Sequence, residues 1–198
     1  MMGSIPLAGS VQLYLLLLLL LYGERLAELV VSQRNARRAL EAGACETGQG
    51  HFRVMAAFHA LFPLSCGLEV VLLQRPFPGL LGWIALAATV IAQGLRWCVV
   101  ATLGTAWTVR IIVPLDKEPV TTGPFRFVRH PNYLAVILEI VAVPLVHGAW
   151  LTALVGSVLN ALLLRVRIRS EEEALGPAHA AAFADRPRLL PGVRRVRS

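Results

Sequence analysis

Five apolar stretches separated by polar ones divide the chain. The first, residues 11–22, is a leucine run between Tyr14 and Tyr22 that continues amphipathically through "GERLAELVV" to residue 31. A polar segment at 32–50 follows, then a second apolar run at 52–73 that stops at the turn signal "QRPFPG", and a third at 80–103. The long polar stretch 104–132 precedes two shorter runs, 133–146 and 151–164, broken by "HGAW". A helix needs about 20 residues, rising 1.5 Å each, to cross a hydrocarbon core of about 30 Å. The two short runs reach that length by including their flanks. The pattern predicts an all-α integral membrane protein of about five transmembrane helices.

Composition agrees with that reading and narrows the partners. Of 198 residues 56% are hydrophobic and 16% charged, with mean hydropathy +0.64, outside the usage of a soluble domain. Net charge is +7, but the arginines lie between apolar runs with no basic stripe of interleaved aromatics, which argues against a nucleic-acid partner. Cys45, Cys66 and Cys98 are odd in number and lack C-x-x-C spacing, so neither a disulfide frame nor a metal site is expected. Residues 1–10 carry no positive charge and no small-x-small site follows the leucines, so the first run reads as a membrane helix rather than a cleaved signal. With the amino terminus outside, the inner face receives Arg34, Arg37, Arg38, Arg53, Arg110, Lys117, Arg126, Arg129 and the basic tail after Arg165; the outer face receives only Arg75. The positive-inside rule therefore predicts a cytosolic carboxyl terminus. No internal repeat interrupts a single domain over 1–198, with three membrane helices in 1–103, and a loop, two helices and a tail in 104–198.

Polar residues inside apolar runs are the candidate chemistry. Arg96 sits in "TVIAQGLRWCVVAT", with Gln93 one turn earlier on the same face. It is either a snorkelling cation or an anion-binding group facing a cavity. On the last helix Asn160, Arg167 and Glu171, spaced seven and four apart, form one polar line. Arg165, Arg169 and Glu172 form a second, expected to face water and headgroups. In "GPFRFVRHPNYL", Gly123-Pro124 marks a turn and His130-Pro131 a helix start. That places a positive dipole end beside His130 and Tyr133, suited to an anionic ligand. The alternative is a basic loop answering lipid phosphates.

"GPFRFVRHPNY" followed some forty residues later by "RIRSEEEAL" resembles the paired R-H-P-x-Y and E-E-x-x-L motifs of the isoprenylcysteine carboxyl methyltransferase family, integral membrane enzymes that use S-adenosylmethionine. The likeness extends to "GLRWCVVATLGTAW" and "RPRLLPG", and "ERLAEL…SQRN" resembles a bacterial branch. The resemblance implies a cytosol-facing cofactor pocket holding S-adenosyl-L-methionine, formed by Lys117, Glu118, Pro119, Val120, Phe125, His130, Pro131, Asn132, Tyr133 and Glu171. It makes Arg96 and Arg167 the residues that carry catalysis. Ala135 replaces a glycine of the pattern, and His179 and Phe183 stand where tyrosines are usual.

The implied activity is an S-adenosylmethionine-dependent O-methyltransferase in a bacterial cell membrane acting on a lipid-like acceptor. Some bacterial relatives resemble partners of type III polyketide synthases, which makes the hydroxyl of a long-chain alkylpyrone or alkylresorcinol the first expectation. An isoprenylcysteine-type carboxylate is the second. Two readings of other classes stand beside these, an NADPH-dependent membrane reductase and a non-enzymatic membrane subunit.

Overall fold

The computed structural model describes residues 7–113 and 118–189. In chain order its elements are α1 (Leu7–Glu41), β1 (Cys45–Thr47), α2 (Gln49–Leu72), α3 (Leu80–Leu103), β2 (Ile111–Val113), α4 (Pro131–Leu145) and α5 (Trp150–Ala182). Short 3-10 turns occupy Gly104–Ala106 and Gly123–Arg126. Three helical stretches are long and apolar enough to cross a membrane, Phe52–Leu72, Leu80–Ala106 and Trp150–Ala182; α4 is a shorter apolar helix. Leu13, Leu19 and Leu20 of α1, Leu72 of α2, Val90 and Ile91 of α3 and Leu154 and Leu162 of α5 all stand exposed. A surface of this kind is incompatible with water and suits lipid. The described chain is thus an all-α, membrane-type helical protein, as the apolar pattern predicts, with a two-stranded addition.

The helices pack through small residues. The buried face of α3 is Gly82, Ala85, Thr89, Ala92, Arg96 and Val99, at spacings of three and four, and α3 packs against α4 more extensively than any other pair of elements. A Cβ on Gly82 would lie 2.8 Å from the Val146 carbonyl oxygen and 2.5 Å from the Phe77 ring, so only glycine permits this approach. Such contacts hold helices together where lipid supplies no hydrophobic drive. At the end away from β1 and β2, Tyr14 donates to the Val143 carbonyl (3.1 Å) and His147 Nε2 lies 3.1 Å from Ser10 Oγ. There Glu69 of α2 accepts from the Leu151 and Thr152 amides (3.1 and 2.7 Å) and pairs with Arg75 at 3.0 Å. A carboxylate from a neighbouring helix thereby satisfies the opening amides of α5.

Two features differ from the sequence expectation. The polar segment 32–50 does not mark the end of the first helix, since α1 continues to Glu41. Its polar residues are tertiary ligands: Asn35 Nδ2 donates to the Gly104 and Trp107 carbonyls (3.1 and 2.9 Å), and Ser32 Oγ accepts from the Val109 amide (2.8 Å). Beyond it, β1 pairs antiparallel with β2, Cys45 opposite Val113, and Arg110 pairs with Glu46 at 2.7 Å. These contacts fasten the α3–α4 connection to the α1–α2 connection. The last helix also bends. Gly176 has φ 73° and ψ −170°, a backbone region open essentially to glycine alone. The bend turns the end of α5 toward the start of α4.

Candidate functional site

The helix start after His130 sets the geometry. Pro131 occupies the first turn of α4, where its missing amide costs nothing. The amides of Tyr133 and Leu134 both return to the His130 carbonyl (3.1 and 3.3 Å), so less of the dipole end is open to an anion than the motif alone implies. Two residues on, Tyr133 is buried, at 8% exposure. Its hydroxyl donates to Glu171 Oε2 and accepts from Arg167 Nε at 3.1 Å. Arg167 Nη2 donates to the Val109 carbonyl at 2.8 Å. The line of Asn160, Arg167 and Glu171 read from spacing is real, and two of its members close on the tyrosine of the other motif. Asn160 is buried on the same helix, outside the cavity wall.

The carboxyl-terminal segment straps this end. Arg129 and His130 amides donate to the Pro187 and Arg188 carbonyls (2.8 and 3.0 Å), and Arg186 Nη1 donates to the Phe125 carbonyl (3.1 Å). Glu172, expected to face water, is instead an ionic hub. It pairs with Arg129 (3.2 Å), with His130 Nε2 (3.1 Å) and with both Nε and Nη2 of Arg188 (3.0 and 2.5 Å). The strap, which sequence spacing does not reveal, brings cationic partners to it. Its own neighbours Arg165 and Arg169 are exposed as expected. His179 and Phe183 stack with ring centroids 4.7 Å apart, so the aromatic character of those positions is kept.

The Tyr133, Arg167 and Glu171 cluster borders one cavity of about 520 Å³, within the usual range for small-molecule sites. Arg96, Glu118, Pro119, Val120, Phe125, His130, Pro131, Asn132, Tyr133, Arg167 and Glu171 all line it. Lys117 lies outside the described residues. Among the described residues, Arg167 Nη1, Trp107 Nε1 and Asn132 Oδ1 are buried there without a hydrogen-bond partner. From this polar end the cavity runs between helices toward apolar walls that include Leu18 and Leu21 of α1 and Phe62 of α2.

Arg96 does not snorkel. It is 5% exposed and grips Glu139 of α4 through Nε and Nη2 (3.2 and 3.0 Å), with Glu28 of α1 at 3.5 Å from Nη1. Arg25 joins the cluster, reaching Glu28 at 2.6 Å, Glu139 at 2.7 Å and Gln93 at 2.6 Å. Gln93 and Trp97 in turn hold Glu24. Sequence reasoning found the arginine and missed its partners. The signal was present: Glu139 is the lone acid in "YLAVILEIVAVPL", and a lone acid and a lone base on neighbouring apolar helices satisfy each other best by pairing. Among the described residues no cluster of histidine, cysteine, aspartate and glutamate could hold a metal ion.

The chain is similar to known proteins. The isoprenylcysteine carboxyl methyltransferase (ICMT) family matches residues 83–177, the stretch holding Arg96, the His130-Pro131 turn, Tyr133, Arg167 and Glu171. The uncharacterized protein YpbQ of Bacillus subtilis is 37% identical over 164 residues, covering 82% of this chain and 96% of that protein. An uncharacterized protein of Haemophilus influenzae is 30% identical over 152 residues, 76% of this chain and 88% of that protein. With both motifs joined at one cavity among apolar helices, and bacterial relatives alike along almost their whole length, the chain belongs to the isoprenylcysteine carboxyl methyltransferase family of integral membrane methyltransferases.

Proposed function

We propose that the protein transfers a methyl group from S-adenosylmethionine to an oxygen of a lipid-like acceptor. The observation that carries this reading is that one cavity joins a polar end built by Tyr133, Glu171 and Arg167 to an apolar end between membrane helices. The residues present suit the cofactor. The Glu171 carboxylate is the natural partner of an ammonium group, the unpaired Asn132 oxygen accepts a further donor, and Phe125, His179 and Phe183 offer flat surface to a purine. When bound, S-adenosylmethionine supplies an electrophilic methyl carried on a sulfonium.

What the chain does is hold and orient. Methyl transfer needs in-line approach at near-attack distance and little covalent help. Arg167 is fixed through Nε and Nη2 by Tyr133 and Val109. Its unpaired Nη1 is thus a fixed donor for the acceptor oxygen; a phenolic or enolic hydroxyl gives up its proton to solvent before transfer, the guanidinium charge favouring the anion that attacks. Arg96, saturated by carboxylates, acts by positioning α3 against α1 and α4 rather than by touching the reacting atoms. In the orientation that the arginine distribution favours, with the amino terminus outside and the carboxyl terminus cytosolic, cofactor enters from the cytosol and the acceptor tail from the bilayer.

For the acceptor we favour the hydroxyl of a long-chain alkylpyrone or alkylresorcinol; the family's own description supports a second reading, an isoprenylcysteine-type carboxylate. The test is an untargeted lipid comparison between a strain lacking the gene and its complemented counterpart. The reading expects one lipid to move by the mass of one methyl group, its fragments placing that methyl on a phenolic or enolic oxygen. Identical lipid profiles would remove it, and a methyl ester would select the second reading.

A further inference from the structure

The charged layer inside the helices lines the same cavity as the proposed methyl-transfer site, yet that reaction gives it nothing to do at the acceptor oxygen. Glu139 lies six residues along α4 from Tyr133, which is about 9 Å of helix. Arg25, Glu28, His59, Arg96 and Glu139 all border the cavity at this layer. All four terminal guanidinium nitrogens are engaged. Arg96 gives Nε and Nη2 to Glu139 and points Nη1 at Glu28, and Arg25 gives Nη1 to Glu28 and Nη2 to Gln93 and Glu139.

Its acceptors are not all used. Glu28 Oε1 is buried without a partner among the described residues. His59 supplies a second acceptor. Its Nδ1 is 2.8 Å from the Met55 carbonyl, which only accepts, so in the neutral ring Nδ1 carries the hydrogen and Nε2 keeps a lone pair. Of the groups that line the cavity at this layer, the two guanidinium groups and the carboxylates of Glu28 and Glu139 cancel in charge, Glu24 lying outside the cavity wall. A cationic ligand group would unbalance that core, whereas a neutral donor completes it. The polar end has the opposite need, since Arg167 Nη1 and Trp107 Nε1 are donors without partners.

Resting on the methyltransferase reading above, we propose that the acceptor lipid is two-ended. One oxygen is held at Arg167 for methylation, and a second, neutral hydroxyl at the charged layer, about 9 Å further along α4, donates its one hydrogen to Glu28. This second hydroxyl selects among lipids that share the same reacting group. A singly hydroxylated lipid leaves the Glu28 oxygen unpaired in the interior and binds less well for that reason.

The test uses the full chain in nanodiscs saturated with S-adenosylhomocysteine, and two probes. One is meta-pentadecylphenol, the other the same phenol with an added hydroxyl on the fourth carbon of its chain. The hydroxylated probe should bind about tenfold more tightly, the worth of one hydrogen bond to a charged acceptor. That preference should shrink to less than about threefold in Glu28→Gln, with S-adenosylhomocysteine affinity unchanged as the check on folding. No preference in the wild-type protein, or a preference that persists in Glu28→Gln, overturns the proposal. If S-adenosylhomocysteine binds and no preference is seen, only this inference fails. If S-adenosylhomocysteine does not bind, the methyltransferase reading fails with it.

Discussion

Replacing Glu139 by leucine removes the main counter-charge of Arg96 while keeping a side chain of similar bulk on α4. Arg96 loses both its close bonds, at 3.2 and 3.0 Å, and keeps only Glu28 at 3.5 Å. Arg25 loses one contact of 2.7 Å but retains Glu28 and Gln93. The Arg96 and Glu139 side chains are 6% and 13% exposed, so solvent screens the orphaned cation little. Breaking one side of such a pair costs about 3–5 kcal/mol, whereas replacing both sides by apolar groups is often neutral. Glu139→Leu should therefore lower unfolding stability by about 3–5 kcal/mol, and Arg96→Met with Glu139→Leu should recover most of that loss. Equilibrium unfolding in mixed micelles, followed by far-ultraviolet circular dichroism on the two single variants and the double, gives the coupling energy directly. Single variants within about 0.5 kcal/mol of wild type, or a double variant showing the plain sum of two large losses, would refute the buried-pair reasoning.

Other expectations test separate parts of the structure. His147, in the turn between α4 and α5, is buried, which holds its pKa below the usual 6.5. The unfolded chain therefore binds a proton that the folded one resists, so stability is complete above about pH 6.5 and declines as pH falls below it. Melting temperatures between pH 7.5 and 5.5 should drop more for the wild type than for His147→Gln, and parallel curves would contradict the assignment. Gly176→Ala meets no clash, since a Cβ there has nothing within 4 Å. Its cost is that of the backbone conformation, about 1–3 kcal/mol, with weakened S-adenosylhomocysteine binding as His179 and Phe183 shift; a variant with wild-type stability and affinity would show that the bend is not needed. Reporters after Ser198 and near Gly48 should be cytosolic and one near Phe77 external, and a cytosolic Phe77 reporter would break the proposed orientation.

Which parts of this were legible in the sequence follows from how local each signal is. The α3 boundaries coincide with the apolar run, because a helix crossing lipid must satisfy its backbone within itself and ends where apolar residues end. The Tyr133, Arg167 and Glu171 cluster could be assembled from two short motifs and one helical spacing. Glu172 could not, because its partners Arg129, His130 and Arg188 come from segments that meet it only after the tail folds back. The extension of α1 was hidden for a similar reason. Ser32 and Asn35 stand in a segment that is polar by composition, and only the returning 104–109 segment gives them their bonds. Three-residue strands such as β1 and β2 carry too little periodicity to be seen.

The central claim, that this cavity holds S-adenosylmethionine against Tyr133 and Glu171, is tested most directly by calorimetry on the protein in nanodiscs, titrated with S-adenosylhomocysteine and separately with NADPH. In the proposed complex Glu171 would supply a charge-assisted bond of about 1.5–3 kcal/mol, and Tyr133 provides the hydrogen bonds that fix Glu171 and Arg167. Saturable one-to-one binding of S-adenosylhomocysteine is expected, with none of NADPH, and affinity about tenfold or more weaker in Glu171→Gln and Tyr133→Ala. Unchanged affinity in both variants, or binding of NADPH in place of S-adenosylhomocysteine, would contradict it.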